Sequence, residues 1–152
     1  MGVAMFYQLQ EKTLVDTLRM LVDKSLSAGW RVAVRGTNPM GLEALDKALW
    51  LGPEDSFLPH GLEGGDHDAD QPVLLGKAVQ NVNNASCIMA VHSAEVSPED
   101  IAAMERVCIL FDGYDEEELA HARAQWKTLK GAGVTAQYWA EDGGRWVKKA
   151  ET

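Results

Sequence analysis

Short apolar runs alternate with stretches of helical spacing from the first residues onward. Val3–Leu9 is apolar and aromatic, and short enough to be a strand. Thr13–Ala28 places Leu14, Leu18, Leu21 and Val22 on one helical face. Gly29 follows where a helix C-terminus favours a permissive φ. Trp30–Val34 is apolar with little alternation, as a strand covered on both faces reads. Asn38-Pro39 offers an N-cap with proline at the first helical position, and Leu42, Leu45 and Leu49 carry that helix onward. A β-α-β-α beginning of this kind predicts an α/β domain with a largely parallel sheet.

The second half continues the alternation. Pro72–Leu75, Ala85–Val91 and Val107–Phe111 read as strands, the last two buried. Between those two, Ser97-Pro98-Glu99-Asp100 opens a short helix with a capping-box pattern. Asp115–Gly131 is the clearest helix, acidic in its first turn and lysine-bearing in its last. Val134–Trp139 is a strand, and Asp142-Gly143-Gly144 turns the chain into an extended piece, Arg145–Val147. Gly52–Gln71 reads as the least ordered stretch, with four glycines and six acidic residues. No repeat or linker divides the 152 residues, so one domain over residues 1–152 is expected.

Charge narrows the function. The formal net charge is −9, which repels a phosphate backbone and points to DNA contact only through a partner or one local basic patch. The two cysteines, Cys87 and Cys108, sit in apolar runs without CxxC spacing and read as reduced core thiols. The N-terminus lacks a basic flank and a continuous apolar run, and no stretch reaches the length of a membrane span. A cytoplasmic protein without membrane contact is therefore expected.

Nucleotide chemistry is not written into the chain. The loop after the first strand, Gln8-Leu9-Gln10-Glu11-Lys12, has no glycine, and neither GxGxxG nor GxxxxGK[ST] occurs. The four histidines, His60, His67, His92 and His121, have no partner at a recognised metal or catalytic spacing, and no serine lies in a GxSxG elbow. Asp66-His67-Asp68-Ala69-Asp70 has the donors for a divalent cation, so a small metal-dependent enzyme using this loop with His60 or His67 is one alternative. The loop's flanking glycines and charge also suit a solvated turn, the more common use of such a segment. No cofactor is expected.

Two features suit binding. On the Asp115–Gly131 helix, Leu119, Ala122, Trp126 and Leu129 form an apolar stripe, while Arg123, Lys127 and Lys130 fall at i, i+4 and i+7 on one face. At ~100° per residue the basic face lies about a quarter-turn from the apolar one, with Trp126 on the seam. A cationic strip beside an indole suits a short acidic peptide ending in an aromatic residue. It also suits direct binding of single-stranded nucleic acid by stacking on Trp126, which the net charge opposes. The same arrangement arises when lysines simply complement a helix dipole and the tryptophan belongs to the core. The second feature is Trp50 and Phe57, two aromatics flanking a polar turn. They suit a protein partner or, equally, the edge of the core.

Leu45-Asp46-Lys47-Ala48-Leu49-Trp50 followed by Ser56-Phe57-Leu58-Pro59-His60 resembles the hallmark of the DNA polymerase III chi subunit family, in which an (L)D-x-A-L-W helix end precedes S-F-[VL]-P-H. Phe6-Tyr7, Phe111-Asp112-Gly113-Tyr114 and Arg123-Ala124-Gln125-Trp126-Lys127 with Lys130, Ala132 and Gly133 are similar to further family segments, so the resemblance covers nearly the whole chain. It implies a Rossmann-like three-layer α/β domain without a nucleotide site. It also implies a non-catalytic adaptor of the clamp-loader complex. The acidic, phenylalanine-terminated tail of the single-stranded-DNA-binding protein would be held by Arg123, Trp126, Lys127 and Lys130. The psi subunit, or in some relatives a helicase, would meet Trp50 and Phe57. Two departures stand out. Asp112-Gly113 replaces a hydrophobic residue and proline, adding an acid beside the tail site. Gln125 replaces a family arginine, removing a charge.

Overall fold

The computed structural model describes residues 2–50, 60–77 and 81–152. Phe57 lies outside them. In chain order the elements are β1 (Val3–Leu9), α1 (Leu14–Ser27), β2 (Val32–Arg35), α2 (Pro39–Trp50), β3 (Gly61–Leu62), β4 (Val73–Gly76), β5 (Cys87–Ala90), α3 (Pro98–Ala103), β6 (Arg106–Asp112), α4 (Glu116–Gly131), β7 (Ala136–Asp142) and β8 (Arg145–Glu151). The strands form one eight-stranded sheet in the order β3-β4-β2-β5-β6-β1-β7-β8. Every neighbouring pair is parallel except β7 with β8.

The period of two in the strands sorts side chains onto two faces. Met5, Tyr7, Val32, Val34, Cys87, Met89, Cys108 and Leu110 meet Leu18, Leu21 and Val22 of α1 and Leu42, Leu45 and Leu49 of α2. Ala4, Phe6, Ile88, Val107, Ile109 and Phe111 meet Ile101 of α3 and Ala122 and Leu129 of α4. This is the expected α/β/α sandwich. Each fully buried Leu or Val adds roughly 1.5–3 kcal/mol of apolar burial. Both cysteines are buried free thiols. Among the described residues no helix is long and apolar enough to cross a membrane.

Local chemistry sets the helix ends. Thr13 accepts a hydrogen bond from the Asp16 amide (3.1 Å), and Asp115 accepts from Glu117 and Glu118 (3.0 and 3.1 Å), so each caps its helix. The capping box at α3 forms as its pattern predicts: Ser97 Oγ accepts from the Asp100 amide (3.1 Å) and Asp100 Oδ2 from the Ser97 amide (2.9 Å). The same Asp100 oxygen receives Arg35 Nη1 at 2.9 Å. Burial works against the Asp100 charge, but Arg35 and Ser97 outweigh it and hold the carboxyl below its ordinary pKa. A depressed carboxylate pKa stabilises the fold above the ordinary carboxylate range, and that stability is lost as pH falls through the folded pKa. Asp100→Asn should therefore lower Tm at neutral pH, and the gap to the parent should close as pH drops below the carboxylate range. A gap independent of pH would show that the pair with Arg35 contributes nothing electrostatic.

Two regions depart from the sequence reading. The stretch expected to be least ordered contains, in its described part, the short strand β3 and a 3-10 turn at Asp68–Asp70. The Asp68 carboxylate receives the Gly64 and Gly65 amides at 2.9 and 3.0 Å, and Arg31 donates to the Ala69 carbonyl at 2.9 Å. Such side-chain-to-backbone bonds leave no periodicity to read. The terminal piece expected to end at Val147 runs on as β8 to Glu151. Gly143 and Gly144, both at positive φ (61° and 80°), make the tight turn that folds β8 back on β7.

One irregularity in that hairpin matters below. Tyr138 pairs with Ala150 and Trp139 with Lys148, so Lys149 is an extra residue, a β-bulge. A one-residue slip exchanges the faces of a strand. Trp146 thus faces α1, while Ala150 faces α4.

Candidate functional site

The α4 face of the sheet carries a cavity of about 440 Å³ lined by Arg123, Trp126, Lys127, Tyr138 and Ala150. Three elements build it. α4 supplies the two cations and the indole, β7 supplies the phenol, and β8 supplies the small residue that leaves room. Arg123 and Lys127 are exposed, whereas Trp126 and Tyr138 are half-buried.

The apolar floor is an aromatic cluster. Phe6, fully buried at the centre of the sheet, meets Trp126 edge-on at 5.3 Å between centroids and stacks with Tyr138 at 6.3 Å. Trp126 and Tyr138 meet at 5.8 Å and 85°, and Phe111 backs Tyr138 at 5.9 Å. Such edge-to-face pairs fix ring positions as well as burying area. The Tyr138 hydroxyl donates to Gln8 Oε1. Burial raises the Tyr138 pKa despite the opposing Arg123 charge, so the ring stays a neutral phenol.

The turn after β6 steadies that arrangement from behind. The Gly113 amide donates to the Leu9 carbonyl at 2.7 Å, and a Cβ on Gly113 would lie 2.8 Å from Gln8 Cγ and 2.9 Å from the Leu9 carbonyl oxygen. Glycine is needed there because strand β1 passes so close. Asp112 beside it is not part of the cavity lining. Its Oδ1 receives the Tyr114 amide at 2.9 Å, and its own amide donates to Glu118 at 3.2 Å. Burial raises the pKa of that Glu118 carboxyl, with the Asp112 amide opposing the shift.

The expected strip is thus brought together in part. Arg123, Trp126 and Lys127 line one cavity. Lys130 lies on the same helix, exposed, one turn further on, outside the lining. Gln125, read above as a lost charge at this site, faces elsewhere. It is 8% exposed, and its Nε2 donates to the Val96 carbonyl at 3.2 Å. The buried line of α4 is Ala122, Gln125 and Leu129, with Trp126 at its margin. Tyr138 and Ala150 were not in the sequence reading. Alternation along β7 could have indicated Tyr138, because it puts Tyr138 and Ala136 on one face. Nothing local could have indicated Ala150, whose direction depends on the bulge.

Trp50 ends α2 and is 53% exposed, more than an edge-of-core role requires. Its base is held firmly. Arg19 of α1 donates to the Leu49 carbonyl at 2.7 Å and the Ala48 carbonyl at 3.3 Å, a cation on the helix C-terminus. The Trp50 ring packs on His60 at 4.4 Å. His60 is buried, with Nε2 at 3.1 Å from the Asp46 carbonyl oxygen and 3.3 Å from Asp46 Oδ1. His60 is therefore a structural post under Trp50. Among the described residues no three His, Cys, Asp or Glu side chains converge to hold a metal ion, and Asp68 serves its own loop.

The amides that could greet a phosphate ahead of α1 are also in use. Gln10 and Lys12 donate to the buried Glu141 carboxylate of β7, at 2.5 Å and 3.1 Å. An internal anion takes the place where nucleotide-binding folds hold theirs.

Comparison with known proteins adds to this geometry. The family model described as DNA polymerase III chi subunit, HolC, matches residues 1–137. An Escherichia coli (strain K12) protein named DNA polymerase III subunit chi is 28% identical over 137 residues, 86% of this chain and 92% of that protein. A Rickettsia prowazekii (strain Madrid E) protein named "Probable DNA polymerase III subunit chi" is 28% identical over 101 residues, 66% of this chain. The matched stretch spans 58% of the Rickettsia protein's length. The match over nine-tenths of the residues and the α/β fold agree: this chain belongs to the DNA polymerase III chi subunit family, a family of replication accessory subunits.

Proposed function

We propose that this chain is a non-catalytic cytoplasmic adaptor, acting as one unit over residues 1–152, that binds the acidic, phenylalanine-ended tail of the single-stranded-DNA-binding protein. The observation that carries the reading is the cavity under Arg123 and Lys127: an aromatic floor beneath two cations, with no acidic residue in its lining. The tail's terminal ring would enter between Trp126 and Tyr138. Its carboxylates would meet Arg123 and Lys127, and Lys130 would extend the attraction along α4. An exposed ion pair is worth only ~0–1 kcal/mol, so ring burial contributes at least as much as any one charge. Micromolar affinity, about −8 kcal/mol, suits a site of this size. A link of that strength is reversible, which fits a polymerase assembly that must let go as the coat protein is displaced.

The second surface of this adaptor is Trp50 with Phe57. It would contact psi, or a helicase, and through psi the clamp loader. An exposed indole held on a braced helix end is the kind of anchor that protein partners use. DNA is reached only through these partners.

The test is fluorescence anisotropy with a labelled peptide ending in Asp-Ile-Pro-Phe. Saturable binding to the parent is expected. Ala150→Trp fills the cavity from the exposed strand β8 without touching a cation, and should reduce affinity about tenfold or more. Full binding by Ala150→Trp would place the peptide elsewhere, and no binding by the parent even at low salt would overturn the adaptor reading.

A further inference from the structure

A second cavity, of about 270 Å³, lies on the opposite face of the sheet, between α1 and the β7–β8 hairpin. Trp139 and Trp146 roof it from one side, and Met20 and Leu21 of α1 wall the other. Met5 and Tyr7 of β1 make the floor, and the Tyr7 ring holds Trp146 edge-on at 5.3 Å.

The polar groups around this apolar space are unusual in kind. Arg106 Nε and Trp146 Nε1 are both buried donors with no acceptor. The Arg106 guanidinium lies 5.4 Å over the Trp30 ring, and its Nε has no hydrogen-bond partner among the described residues. Lys24, in the last turn of α1, lines the mouth and also has no ion-pair partner among the described residues. The other polar groups are committed: Ser25 donates to the Leu21 carbonyl at 2.9 Å, and Trp139 Nε1 to Gln137 at 3.1 Å. Burial keeps the Tyr7 hydroxyl a neutral phenol. Although the chain holds 23 Asp and Glu residues, none of those described lines this cavity. A buried donor with no protein acceptor is open to an acceptor that enters the cavity.

We propose that this cavity is a binding site for a small aromatic carboxylate, with its ring between Trp139, Trp146 and Met20 and its carboxylate received by Arg106, with Lys24 at the mouth. Two cations supply donors only, so the complementary group is an anion. The apolar walls require that the anion carry a flat apolar body. The volume is at the small end for ligand sites, which selects a one-ring compound.

The experiment uses the full chain, with phenylacetate as probe and phenylacetamide as its neutral counterpart, followed by the indole N–H resonances in two-dimensional NMR. The five tryptophans, assigned by single Trp→Phe substitutions, report the two faces separately. Trp146 and Trp139 belong to this cavity and Trp126 to the one under α4. Phenylacetate should shift the Trp146 and Trp139 signals saturably, with a dissociation constant of about a millimolar, as suits so small an anion. Phenylacetamide should bind several-fold more weakly, because it lacks the charge. Arg106→Gln should weaken phenylacetate about tenfold. Lys24→Gln, a change at the exposed mouth that leaves the packing untouched, should weaken it two- to three-fold or thereabouts. Shifts confined to Trp126 would assign the anion to the α4 cavity and overturn the proposal. So would equal binding of the amide, or no shift of Trp146 in the folded parent.

Discussion

Reversing one charge, Lys127→Glu, is expected to weaken the tail peptide by about ten- to thirty-fold. Removing an exposed partner costs little, but reversal turns an attraction into a repulsion and places a carboxylate at the mouth of a cavity that has none. The ionic origin can be checked directly. The Debye length falls from ~10 Å at 0.1 M salt to ~3 Å at 1 M, so the gap between parent and Lys127→Glu should narrow as salt rises. The loss caused by Ala150→Trp should persist at every salt concentration, because it comes from filled space. If both losses respond to salt alike, the ring does not enter between Trp126 and Tyr138. If neither variant loses affinity, the tail uses another face. Titrating labelled single-stranded oligonucleotide beside the peptide separates the remaining reading. Direct nucleic-acid binding through Trp126 would also fall on charge reversal, but it would appear without any peptide present.

Phe6→Ala should have the largest effect on stability, about 3–5 kcal/mol. Phe6 is 0% exposed and supports both Trp126 and Tyr138, so the vacated space cannot be refilled from solvent. Differential scanning calorimetry should show Tm lower by about 10 °C. Phe6→Leu keeps most of the volume and should cost less, yet it removes the edge-on ring contact that positions the indole. We therefore expect Phe6→Leu, measured well below its Tm, to bind the tail peptide more weakly than its small stability loss explains. Parent-like affinity in a folded Phe6→Leu would show that the cavity does not need the ring beneath it. Parent-like stability in Phe6→Ala would contradict the packing itself.

These two experiments probe different levels of the molecule, and the levels were unequally legible. Elements with strong period or capping could be read locally. The Leu18-Leu21-Val22 face of α1, the box at Ser97 and Asp100, and the apolar strands β5 and β6 each carry their cause within a few residues. The cationic spacing of Arg123, Lys127 and Lys130 was legible for the same reason: a helix brings i and i+4 together wherever it sits. Gln125 misled because proximity in sequence to a site is not proximity in space. It lies beside Trp126, yet its side chain is turned onto the Val96 carbonyl.

The amino-acid order by itself determined the layered α/β class, the strand and helix order apart from β3, the absence of a phosphate-binding loop motif and the family motif at Leu45–His60. Each depends on periodicity, turn chemistry or residue identity over short range. Only the tertiary structure decided which faces became sites. Strand order β6-β1-β7-β8 put Phe6 under both Trp126 and Tyr138, although Tyr138 lies far along the chain. The bulge at Lys149 then sent Trp146 to the α1 face and Ala150 to the α4 face, so a single strand walls two cavities. Sheet register and bulge position are set by the pairing of whole strands. No window of local sequence contains that information.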